Sequence, residues 1–63
     1  PAGTVVYFES SDLDADFAAI TQRGARVADN GAPHFIAKLG AKELWMAFLH
    51  DPDGNLFALM QER

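Results

Sequence analysis

His50-Asp51-Pro52-Asp53-Gly54-Asn55 separates two apolar runs, Leu44 to Leu49 and Leu56 to Met60. Each position has turn chemistry. Pro52 presets φ near about −65°, which suits the first central position of a tight turn. Asp51 and Asp53 carry carboxylates that accept from nearby backbone N–H groups. Gly54 takes positive φ with no Cβ penalty. Two apolar runs joined this way read as a β-hairpin. With Asp51 to Gly54 as the loop, His50 pairs with Asn55, Leu49 with Leu56, Ala47 with Ala58 and Trp45 with Met60. Trp45, Ala47, Leu49, Leu56, Ala58 and Met60 then share one face, and Met46, Phe48, Phe57 and Leu59 the other. A bulge at Gly54 would shift the pairing by one residue and swap the partners.

Both faces of this hairpin are apolar. A sheet with one wet face alternates apolar and polar residues, and these strands do not. Each face therefore needs a cover. One is visible: a helix from about Leu13 to Arg23, with Leu13, Phe17 and Ile20 on one stripe. Ser11-Asp12-Leu13-Asp14 matches a capping box with Ser11 as N-cap. Asp12, Asp14 and Asp16 put negative charge at the positive end of the helix dipole, so helix-start chemistry accounts for all three. Gly24 is placed to stop the helix in the left-handed conformation.

Ahead of the helix, Thr4 to Glu9 is a β-branched and aromatic run, hence a strand. Val5, Tyr7 and Glu9 point one way, and Val6 and Phe8 the other. After the helix, Ala25 to Ala28 is a short extended piece and Asp29-Asn30-Gly31-Ala32-Pro33 a turn. His34 to Leu39 and Glu43 to Leu49 are strands joined at Gly40-Ala41-Lys42. The order is β, α, β, β, β, with the last three strands a meander. The predicted class is α+β: one βαβββ module over residues 1–63, its helix packed on one face of a mainly antiparallel sheet.

Sixty-three residues allow one small domain, and a chain this short buries only about 60% of its extended surface. Cysteine is absent, so there is no disulfide and no thiolate metal site. The net charge of −4, with only five Lys and Arg residues, disfavours nucleic acid as a partner. No leader pattern and no long apolar span is visible, so a membrane partner is not expected and a cytoplasmic location is. The chain enters a strand almost at once after Pro1, which suggests a piece of a longer protein.

This order and these motifs resemble one module of the vicinal oxygen chelate superfamily, the glyoxalase, bleomycin-resistance and extradiol-dioxygenase group. The resemblance rests on Val5-Val6-Tyr7-Phe8 followed by Ser11-Asp12-Leu13-Asp14 and on the helix ending at Arg23-Gly24-Ala25. Its most specific part is Phe48-Leu49-His50-Asp51-Pro52-Asp53-Gly54-Asn55-Leu56-Phe57. It spans about Thr4 to Gln61 and is closest to the family's C-terminal module. It implies that two modules pair, that their sheets form a cup with helices outside, and that a ligand lies within. The partner is then a second βαβββ module, from the same protein's N-terminal half or from a homodimer mate. The cup would be lined by Tyr7, Trp45, Ala47, Leu56, Ala58 and Met60, together with Val5 and Leu49.

The resemblance also implies a divalent metal on His, Glu or Gln side chains in the catalytic members. Here the last-strand ligand position, four residues after the turn glycine, falls on Ala58, and the first-strand position falls near Val5. Neither side chain binds a metal, so no metal and no cofactor is predicted. Whether the protein is an enzyme stays open. Glu9, on the strand face of Val5 and Tyr7, is a weak candidate base, although a solvated rim carboxylate is the simpler reading. His34 and His50, with no third nitrogen or thiolate, make a poor metal site. Trp45 suits either stacking on a bound ring or the module interface. The expected function is a metal-free, glyoxalase-like module that holds a small organic molecule between paired modules. The alternative is part of a metal-dependent lyase, epimerase or dioxygenase whose ligands come from the other half.

Overall fold

A computed structural model describes residues 5–63. The elements are β1 (Val6–Glu9), α1 (Leu13–Gln22), β2 (Arg26–Val27), β3 (His34–Leu39), β4 (Lys42–His50) and β5 (Leu56–Glu62). One helix lies on a five-stranded mixed sheet, so the molecule is a small α+β domain. Among the described residues no helix is long and apolar enough to cross a membrane. Thr4, expected to open the first strand, lies outside the described residues.

β4 pairs antiparallel with β5 on one side, and β1 adds parallel to the far edge of β5. β2 and β3 share the other edge of β4, one behind the other. The Ala28–Pro33 connection between them stays on that edge. Ala28 N–H donates to Phe48 O at 3.0 Å, and Phe48 N–H donates to Gly31 O at 2.7 Å. The expected extended piece at Ala25 to Ala28 is thus a strand of two residues, Arg26 and Val27.

The hairpin forms, but one residue out of the expected register. His50 pairs with Leu56, Leu49 with Phe57, Phe48 with Ala58, Ala47 with Leu59, Met46 with Met60 and Trp45 with Gln61. The cause is in the turn. Gly54 N–H donates to Asp51 O at 2.9 Å, which closes a tight turn over Pro52 and Asp53. Gly54 then takes φ 85°, as in a turn followed by a left-handed bulge residue. Asn55 stays in the loop, its N–H donating to the Asp51 carboxylate at 2.8 Å. The loop therefore spends one residue more than Asp51 to Gly54.

That single residue swaps the faces of β4. Trp45, Ala47 and Leu49, expected in the cup with Leu56, Ala58 and Met60, lie instead on the helix side. The core there is Leu13, Ala47, Leu49 and Leu59, with Phe17, Ile20, Ala25, Trp45 and Phe57 packed against it. Burying a leucine such as Leu13 or Leu49 contributes about 2 kcal/mol. Met46 and Phe48, expected beneath the helix, point to the opposite face. The expectations for β1 and β5 agree with the register: Tyr7 lies beside Ala58 and Phe8 beside Leu59.

The helix begins differently as well. Asp12, not Ser11, is the N-cap, and its carboxylate accepts from Ala15 N–H at 3.2 Å. Gln61 completes the start from the far end of the chain. Its Oε1 accepts from Leu13 N–H at 3.0 Å and its Nε2 donates to Ser11 O at 2.8 Å. The helix stops as expected. Gly24 has φ 106°, and Ala25 N–H and Gly24 N–H donate to Ile20 O and Thr21 O.

Candidate functional site

The helix packs on the middle of one face of the sheet, leaving Val6, Phe8, Val27 and Phe35 exposed at its margins, and no element among the described residues packs on the other. Registers place the side chains of that open face in rows across the strands. Arg26, His50 and Leu56 form the row nearest the hairpin turn. Tyr7, Ala58 and Phe48 form the next. Glu9, Met60, Met46 and His34 follow, and then Glu62, Leu44 and Ala37. The centre is apolar and the two ends carry ionisable groups.

Ala58 is fully buried at the middle of this face, with Tyr7 and Phe48 as its register partners on the two sides. A small residue between two rings leaves a shallow trough. Tyr7 is 56% exposed, so its ring is open to solvent rather than packed within the chain. His34 packs its ring 6.1 Å from that of Phe48, and its Nδ1 stands 2.6 Å from Ala32 O.

Two hollows flank the trough. Glu9, Ser10, Leu44, Met60, Gln61 and Glu62 line one of about 290 Å³. A wider one of about 610 Å³ lies at the turn end, lined by Arg26, Val27, Ala28, Asp29, His50, Gly54 and Leu56. Beside it, Asn55 and Asp53 N–H groups on the Asp51 carboxylate, Asn55 foremost, hold that carboxyl below its ordinary value of 3.8.

Of the residues expected to line the site, Tyr7, Leu56, Ala58 and Met60 share the open face. Trp45 and Ala47 do not. Trp45 Nε1 donates to Glu43 Oε1 at 2.9 Å, the Arg63 guanidinium lies 4.1 Å from its ring centre, and Phe35 meets it edge-on. Ala47 is fully buried under the helix. Glu9 lies on the open face at an exposed strand end, beside Met60. Met46, Phe48, His50, His34 and Arg26 join the face although none was expected there. The signal for the β4 residues was the bulge at Gly54. No local signal marks Arg26.

Among the described residues no three His, Cys, Asp or Glu side chains gather to hold a metal ion. None of the side-chain to side-chain hydrogen bonds found among them lies on the open face. The arrangement suits holding an apolar body between polar ends, and it presents no preassembled nucleophile and base. No family model matches the chain, and no curated protein or solved structure matches it.

Proposed function

We propose that this chain is a metal-free binding module of the vicinal oxygen chelate kind, pairing with a second module to hold a small organic molecule. The observation that carries the reading is the apolar face that no helix covers, on which Tyr7 is exposed, Leu44, Phe48, Leu56 and Met60 are half-buried, and Met46 and Ala58 form the floor. Contiguous apolar surface of this sort marks a ligand or protein contact. The element order and the turn that resemble that family support the same reading. Pairing would convert the trough over Ala58 into a closed, apolar pocket, the usual form of a small-molecule site. The family's metal does not fit the residues present. The methyl of Ala58 and the side chain of Val5 offer no donor atom, so no step is assigned to a metal.

Met46 and Met60 are the only two methionines of the chain, and they face each other across the open side. Carbon-13 labelling of their methyl groups therefore reports on this face alone. Titration with 2-naphthalenemethanol should move both methyl signals and leave the Trp45 indole N–H in place. Binding that moves the indole and spares both methyls would overturn the reading, as would no binding by planar aromatics at all.

A further inference from the structure

We infer that the hollow at the turn end is an oxyanion site, so that the molecule held on the open face is an apolar compound bearing a carboxylate or phosphate. The inference rests on the binding role just proposed and adds the polarity of the ligand.

Arg26 and His50 are direct ladder partners, so their side chains leave the same face side by side. Both line the hollow of about 610 Å³. The Arg26 guanidinium makes no ion pair or hydrogen bond among the described residues, whereas Arg63 is engaged with Asp14 at 3.2 Å. His50 Nδ1 stands 3.4 Å from Gly54 O, which favours a proton on Nδ1. A guanidinium binds an oxyanion through two parallel N–H groups. Asp29, the acidic residue on the same hollow, forms no salt bridge with Arg26. Arg26 is the one Lys or Arg lining this hollow, and Asp29 the one carboxylate. The arginine sits one row from the Tyr7–Ala58–Phe48 trough. A ligand with its anion on Arg26 and its ring over Ala58 spans adjacent rows. The opposite end of the face carries Glu9 and Glu62, which sets the orientation by repulsion.

The test compares three probes on the methyl-labelled chain: 2-naphthoate, 2-naphthyl phosphate and the uncharged 2-naphthalenemethanol. The anions should bind at least tenfold more tightly than the alcohol, and the two anions separate the carboxylate from the phosphate form. Arg26→Gln should remove that preference and leave alcohol binding unchanged, with Arg26→Lys restoring part of it. Unaltered methyl spectra of the free variants establish that they fold. Equal binding of anions and alcohol, or an anion preference that survives Arg26→Gln, overturns the oxyanion site and leaves the apolar reading standing. Failure of all three probes to move either methyl overturns both.

Discussion

A methyl group added at Gly31 would sit 2.1 Å from Phe48 O and 2.8 Å from Ala28 O. Both atoms are backbone: Phe48 O accepts from Ala28 N–H and ties the β2–β3 connection to β4, and Ala28 O accepts from Gly31 N–H and closes the turn within it. Gly31→Ala should therefore destabilise the fold by about 2 kcal/mol. A urea midpoint equal to the parent's would contradict this. Asp51 is the second residue on which local structure turns. Its carboxyl is held low, first by the Asn55 N–H. A carboxylate depressed on folding contributes stability above its unfolded value, and that contribution is lost as pH falls through the folded value. Asp51→Asn should be less stable than the parent at pH 7, and the gap should narrow as pH drops below 3.8. Parallel urea titrations at both ends of that range give the answer, and a constant gap would mean that charge is irrelevant to the turn.

At the scale of elements, the start of α1 separates two caps that look alike in sequence. Ser11 and Asp12 are both good N-cap types. Ser10 Oγ accepts the Asp12 N–H at 3.1 Å, and Gln61, 48 positions away from Leu13, takes the Leu13 N–H. These contacts set the cap at Asp12. Asp12→Ala should cost about 1 kcal/mol, and Ser11→Ala almost nothing, in thermal melts. The reverse ranking would restore the capping box. This helix shows where local reading stops. The apolar stripe of Leu13, Phe17 and Ile20 and the stop at Gly24 are chemistry of neighbouring residues, and the sequence shows them. The choice of cap depends on a glutamine at the other end of the chain, and the sequence does not show it. The hairpin repeats the lesson. Its turn was legible residue by residue, while the facing of all of β4 hung on whether Asn55 counted with loop or strand. Trp45, Ala47 and Leu49 were placed on the wrong side by that one count. Arg26 reaches the open face only through a two-residue strand, too short to leave a periodic pattern.

At the scale of the whole molecule, a slab of 37 × 25 × 18 Å has a helix on one broad side and, on the other, half-buried apolar rows that no helix covers. The core of Leu13, Ala47, Leu49 and Leu59 holds sheet and helix together without help from the open face. The chain can thus fold and still present Tyr7, Phe48 and Met60 for contact. Burial of that face in a second copy or a separate module removes apolar area from water at roughly 25 cal/mol per Å². At micromolar concentration the chain should sediment as a species heavier than one copy. Met60→Asp places a charge in the middle of the contact, next to Glu9, and should shift the chain to a monomer. Phe8→Asp is the matched control. Phe8 is 51% exposed and lies on the helix side with Leu59, so its replacement should leave association intact. If the parent chain sediments as a folded monomer, or if Phe8→Asp dissociates it and Met60→Asp does not, the open face is not the contact surface.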